Sequence, residues 1–256
     1  MTVGATETIP HFPENLYCGH SRHDFRFGEN PVIVVEPGKP ALGRRWVWRA
    51  EFFDAFPAFD VEMLGRGWYL AFISVGNTFG CPSAMRRFDA FYQEMTDKYL
   101  FHRQPVLEGL SRGGLYVYNW AAGNPESVGL IYADNPVCDI KSWPGGKGRG
   151  PGSPQDWVTL QECYGFQSEA EALAWNKNPV DQAGFFAQAG MPLVHCFGDA
   201  DEVVPWEENT KAIADGVAAA GGEVKLIVKP GCGHHPHGPA DPISFADWVI
   251  ANARND

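Results

Sequence analysis

The chain has 256 residues, 45% hydrophobic and 20% charged, which suits a globular α/β protein with a sizeable core. A formal net charge of −11 argues against nucleic acid and anionic membrane as partners, because both reward clustered Lys and Arg. No apolar run approaches the ~18 residues of a membrane-spanning helix. Met1 to Pro10 lacks the basic start and apolar core of a secretory leader, so the expected compartment is the cytoplasm, or the exterior after removal of a leader.

Strand-like and helix-like segments alternate along the chain. Pro31 to Glu36 and Trp46 to Ala50 are the first candidate strands. Trp68 to Val75 follows, apolar enough to be buried on both faces. Ser83 to Tyr99 then carries Met85, Phe88, Phe91, Tyr92 and Met95 at helical spacing. Pro105 to Leu110 is a fourth strand, leading directly into a helix over Arg112 to Ala122, and Val128 to Ala133 is a fifth. Cys138 to Pro179 breaks the rhythm. Its Trp143 to Pro154 portion is dense in Gly and Pro and reads as an irregular loop; Gln155 to Asn176 looks partly helical. An insertion of this size is either a substrate-facing lid or a surface excursion. Pro192 to Phe197 and Glu223 to Lys229 complete the strands. A helix over Asn209 to Ala220, stopped by Gly221-Gly222, lies between them, and Pro242 to Ala253 closes the chain. Short apolar strands separated by helices predict a mostly parallel sheet covered on both faces, in one domain spanning 1–256.

Gly109-Leu110-Ser111-Arg112-Gly113 fits the pattern G-x-S-x-G between a strand and a helix, the setting of a nucleophile elbow. There a sharp turn lifts the serine hydroxyl above the sheet. Gly109 and Gly113 are expected to leave room for the neighbouring chain, and the helix N-terminus offers N–H groups to a developing oxyanion.

Serine needs a base, and the base needs an orienting carboxylate. Asp201 lies in Gly198-Asp-Ala-Asp-Glu-Val-Val-Pro205, just past the sixth strand, with Asp199 and Glu202 as competitors. His234 lies in Pro230-Gly-Cys-Gly-His-His-Pro-His237, just past the seventh, with His235 and His237 as competitors. Asp201 and His234 are the favoured pair. The adjacent histidines lack a recognisable ligand spacing, so neither a metal nor an organic cofactor is expected. His195 falls within a strand and suits a core or supporting role. His11, His20, His23 and His102 are assigned no chemistry. Six cysteines are scattered without a C-x-x-C pair, which permits disulfides without identifying any.

Together GLSRGG, GDADEVVP and PGCGHHPHG resemble the α/β-hydrolase superfamily over roughly residues 30 to 253. The resemblance is to prolyl-oligopeptidase-like and dienelactone-hydrolase-like esterases. It implies an α/β-hydrolase fold and acyl transfer to water through Ser111, His234 and Asp201. The Ser-Arg pair is also similar to the elbow of carbohydrate esterases such as glucuronoyl esterases, where the arginine helps hold the oxyanion. That role would fall to Arg112, as side chain or as backbone N–H alone. The lysine those enzymes carry after the last glycine is Leu115 here. Many relatives place His-Gly after the strand that is Trp46 to Ala50 in this chain, whereas this chain has Arg49-Ala50-Glu51. A second oxyanion N–H is expected near Arg49 or Ala50. Arg49 and Glu51 either touch substrate or pair with each other.

The expected substrate is a small-molecule or carbohydrate ester. Nine tryptophans offer flat faces for a sugar or aryl ring, with Trp48, Trp120, Trp143, Trp157 and Trp206 as candidates. Trp143, Trp206, Glu51 and His237 are the expected substrate contacts. A serine peptidase of prolyl-oligopeptidase type is the second reading, and a non-catalytic binding protein on the same scaffold the third. Nothing in the sequence bears on oligomeric state.

Overall fold

The structure is a computed structural model that describes Ile9 and residues 15–254. The sequence readings of the leader region and of His11 fall outside those residues, apart from Ile9. Among the described residues nine strands form one sheet: β1 (Leu16–Tyr17), β2 (His20–Phe27), β3 (Asn30–Glu36), β4 (Trp46–Arg49), β5 (Tyr69–Ile73), β6 (Val106–Leu110), β7 (Leu130–Asp134), β8 (Leu193–Gly198) and β9 (Val224–Lys229). Their order is β1-β2-β3-β5-β4-β6-β7-β8-β9. From β5 to β9 neighbouring strands run parallel, while β1 to β3 join as an antiparallel edge. The central strands β4, β6, β7 and β8 are buried at every residue, as a parallel sheet covered on both faces requires.

The helices are α1 (Ala58–Gly65), α2 (Pro82–Gln93), α3 (Gly113–Gly123), α4 (Pro154–Tyr164), α5 (Glu169–Ala174), α6 (Ala183–Gln188), α7 (Thr210–Ala219) and α8 (Pro242–Asn252). Prolines open α2, α4 and α8, where a missing N–H costs nothing. Ser153, Ser168 and Asp241 cap α4, α5 and α8 with their side chains. The helix expected over 83–99 ends its α-helical part at Gln93 and continues as a π turn over Glu94–Lys98.

Two apolar layers sandwich the sheet. One gathers Trp46, Trp48, Phe88, Phe91, Tyr116 and Trp120. Trp48 stacks on Phe88 at 4.8 Å and meets Trp120 edge-on at 4.9 Å, so these two tryptophans serve the core and not a substrate. The other layer joins Val47, Phe59, Leu70, Tyr132 and Phe245 beneath α1 and α8.

The 138–179 insertion builds a third cluster, in which Trp157, Leu160 and Ala172 pack on Phe79, Leu115 and Val204. It is also pinned by polar bonds. The Cys138 N–H donates to Asn209 Oδ1 at 2.7 Å, and Ser142 Oγ donates to Glu208 Oε2 at 2.6 Å. All six cysteines are free thiols.

The strand order reverses between β4 and β6: β5 lies on one side of β4 and β6 on the other. At such a point the loops leaving the carboxyl ends of two strands diverge and open a crevice. The 50–57 loop after β4 and the turn after β6 flank it.

Candidate active site

Ser111 follows β6 directly and has φ of 50°, a left-handed conformation that costs a non-glycine residue about 1–2 kcal/mol. Its N–H donates to Asp134 O at 2.9 Å, and its carbonyl accepts from Val137 N–H at 2.9 Å, so the turn is clamped against the end of β7. Gly109 is required as expected, since a Cβ there would stand 2.7 Å from Gly113 O. Gly113 is not: its Cβ would meet Glu51 Cβ at 3.6 Å, an ordinary contact. The tight position is Gly114, where a Cβ would lie 2.7 Å from both Pro136 Cβ and Val137 O.

Ser111 Oγ lies 2.9 Å from His234 Nε2, and His234 Nδ1 lies 2.7 Å from Asp201 Oδ2. Asp201 Oδ1 accepts from the N–H groups of Val203 and Val204, both at 2.9 Å. A carboxylate so held keeps the imidazole proton on Nδ1 and leaves the Nε2 lone pair facing the hydroxyl. Asp199 instead accepts from Gly231 N–H at 2.6 Å, bracing the acid loop to the histidine loop.

Asn135, which the sequence did not single out, ties these loops together. Its Nδ2 donates to His234 O at 2.8 Å, and its Oδ1 accepts from Gly198 N–H at 2.7 Å. Asp134 anchors the histidine loop from below. It is fully buried and accepts from His237 Nδ1 (2.8 Å), Lys229 Nζ (2.9 Å), Tyr132 Oη (3.0 Å) and Gly238 N–H (2.9 Å). Burial alone would raise its pKa, but the His237 hydrogen bond and the Lys229 charge outweigh that and hold it below the usual carboxylate range. The sequence signal was an acid ending an apolar strand next to the elbow.

The expected oxyanion donors near Arg49 and Ala50 are corrected. The Ala50 N–H donates to Glu108 O at 2.9 Å. Arg49 lies within β4, between β5 and β6, in register with Phe72 and Glu108. Arg49 belongs to the sheet, and the Ala50 N–H just past it is taken up by β6. Arg49 and Glu51 do not pair through their charged ends either. The fully buried Arg49 guanidinium bonds Asp60 through Nη1, with Glu108 Oε1 at 3.4 Å, and donates to the carbonyls of Glu51 (3.2 Å) and Ala55. It does not reach a substrate. Burial and the neighbouring Asp60 charge push the Glu108 carboxyl well above its ordinary range.

Arg49 thereby shapes a loop in which Phe52, Asp54 and Phe56 all have positive φ. Because it holds the Glu51 carbonyl and a trans peptide sets its N–H antiparallel to its C=O, the Phe52 N–H points the opposite way. Among the described residues the N–H groups of Phe52 and Arg112 have no hydrogen-bond partner. Glu51 itself pairs with Arg112 Nε at 2.6 Å. Arg112 Nη1 donates to Asn77 Oδ1 at 2.6 Å, and the guanidinium lies over the Phe52 and Phe79 rings. Burial raises the Glu51 pKa, and the Arg112 charge offsets only part of that.

A cavity of about 200 Å³ opens at Ser111, lined by Phe52, Ala55, Phe56 and Leu110 with His234, His235 and His237. His237 is among the residues that line it. Trp143 and Trp206 are not: Trp143 tilts against Phe79, and Trp206 stacks on Phe197 at 5.0 Å. Nothing from the insertion lines this cavity. The insertion faces the acid loop instead, where Arg149, Pro151, Asp199, Glu202 and Glu207 border an open groove of about 730 Å³. His195 is buried and bonds Tyr118 Oη at 2.6 Å; burial pushes its pKa down to about 3, so it stays neutral in the core.

No protein-family model and no curated protein match the chain. Solved structures do. A puromycin-hydrolyzing peptidase of Mycobacterium tuberculosis superposes with a TM-score of 0.73 at 14% identity, over 93% of this chain and 40% of its own. Dipeptidyl peptidase 4 of Porphyromonas gingivalis gives 0.69 at 13% identity, over 91% of this chain and 36% of its own. A 2,6-dihydroxy-pseudo-oxynicotine hydrolase gives 0.66 at 18% identity, over 91% and 68%. The chain spans well under half the length of these two peptidases. Likeness at such identities speaks for the fold, and with the sheet order and the elbow after β6 it makes the chain an α/β-hydrolase by fold.

Proposed function

We propose that the chain is a serine hydrolase that cleaves carboxylic esters through an acyl-enzyme. The observation carrying this reading is the run of short contacts from Ser111 through His234 to Asp201. His234 Nε2 takes the Ser111 proton as Oγ attacks the ester carbonyl. The N–H groups of Arg112 and Phe52 receive the oxyanion, and the protonated His234 returns its proton to the leaving alcohol. Water then enters by the same route and releases the acid. No step calls for a cofactor.

The small apolar cavity between Phe52, Phe56 and Leu110 suits a short or aryl acyl group. The polar groove beside the acid loop suits a hydroxylated alcohol such as a sugar, with Arg149, Glu202 and Glu207 as partners. That assignment replaces Trp143 and Trp206 as sugar platforms. A serine peptidase is the second reading, favoured by the two peptidases among the structural neighbours.

The test compares nitrophenyl esters of increasing acyl length with aminoacyl and dipeptidyl nitroanilides. Short acyl esters are expected to be the best substrates. Turnover of the anilides with negligible ester cleavage would replace the esterase reading with the peptidase one.

A further inference from the structure

His234, His235 and His237 form a cluster beyond what the hydrolase reading needs. Their ring centroids make a nearly equilateral triangle with sides of 5.0, 5.0 and 4.9 Å. One nitrogen from each ring lies within 4.8 Å of the others. A tetrahedral ion bonded to three imidazoles at ~2.0 Å places the rings about 5 Å apart and the ligating nitrogens ~3.4 Å apart. The rings already stand at that spacing, and closing the nitrogens takes a shift of ~1.4 Å. His235 is the exposed member, stacked on Phe56 at 5.6 Å, and the shift falls to it.

The surroundings favour metal ligation for a second reason. His234 and His237 each direct Nδ1 at a buried carboxylate, Asp201 at 2.7 Å and Asp134 at 2.8 Å. A carboxylate on Nδ1 fixes the tautomer and leaves Nε2 as the ligating atom, as in carboxylate–histidine–zinc arrangements. All three rings line the cavity at Ser111.

We propose that His234, His235 and His237 bind a single Zn²⁺ at the mouth of the Ser111 cavity, and that this ion reversibly inhibits the enzyme. Zinc takes the Nε2 lone pair of His234, the pair that would otherwise accept the Ser111 proton. No covalent bond is made or broken. Binding follows from the triangle alone, while inhibition rests on the hydrolase reading.

The experiment titrates the chelator-stripped protein with Zn²⁺ by calorimetry, and in parallel follows covalent labelling of Ser111 by a fluorophosphonate. The expected result is one tight equivalent per chain, with affinity at least ~100-fold weaker in His235→Ala, given that lesser outer-shell changes already cost 10–100-fold. Zinc should suppress labelling of the unaltered protein, and chelator should restore it. His235→Ala should still label at zinc concentrations that silence the parent. An absence of stoichiometric binding, or an affinity unchanged in His235→Ala, overturns the site. Tight binding lost in His235→Ala, together with no labelling even in chelator, upholds the site and refutes the hydrolase reading.

Discussion

Replacing Arg49 by lysine keeps the buried positive charge but removes the planar fork that holds the 50–57 loop. The magnitudes are comparable on both sides. Phe52 and Phe56 sit in the left-handed region at ~1–2 kcal/mol each, and Asp54 adds a smaller amount, for roughly 2.5–5 kcal/mol in total. The Arg49 bonds to the carbonyls of Glu51 and Ala55 contribute ~1.5–3 kcal/mol each as charge-assisted hydrogen bonds. The two sums nearly cancel, so the loop holds its shape because of that fork. Lysine still meets Asp60 and Glu108 but cannot reach both carbonyls. Relaxation of the loop turns the Phe52 N–H away from the oxyanion position, a loss of ~10²–10³ in kcat. The assay is ester hydrolysis beside urea unfolding of the same sample. The expected outcome is a kcat fall of that order in a protein that still unfolds cooperatively. An Arg49→Lys protein with parental kcat would refute the role given to the loop.

Asp201→Asn should lower kcat/KM by about 10⁴ through loss of the imidazole tautomer. Asp199→Asn should cost only about 1 kcal/mol of stability through its bond to Gly231. Reversed results would exchange the two acids. Asp134→Asn should destabilise the fold by ~3–5 kcal/mol at pH 7, leaving Lys229 buried without its carboxylate. Because the folded state depresses the Asp134 pKa, its contribution is present above the unfolded value of ~3.9 and is lost as pH falls through the folded one. The gap between variant and parent should therefore shrink below about pH 4 in denaturant titrations. Gly114→Ala should cost ~1–3 kcal/mol by overpacking against Val137, whereas Gly113→Ala should be neutral or mildly stabilising; their denaturation midpoints separate the two.

Seven strands were legible because each carries an apolar, β-branched run, although β9 leaves Leu226 and Val228 exposed at the edge of the sheet. The edge strands β1 and β2 were not: His20 to Phe27 is mostly polar and only half-buried, so its pattern does not stand out from a loop. The Ser111, Asp201 and His234 loops were legible because each follows an apolar strand and carries glycine. The β4 loop misled the reading because it lacks a glycine signature and reaches its shape through bulky left-handed residues, with an arginine at the end of the preceding strand holding them. Arg49 looked like a site residue from its position, yet its partners Asp60 and Glu108 lie on separate elements whose meeting no local pattern announces. Gly114 outranks Gly113 for a similar reason, because what crowds it is Pro136 and Val137 in the loop after the neighbouring strand β7. The histidine triangle depends on the loop doubling back over Asp134, which spacing does not reveal.

Fluorophosphonate labelling followed by peptide mass analysis tests the central claim most directly. The account predicts one adduct, on Ser111, formed by the parent protein and lost in His234→Ala. An adduct on another serine, or undiminished labelling of Ser111 in His234→Ala, would contradict it.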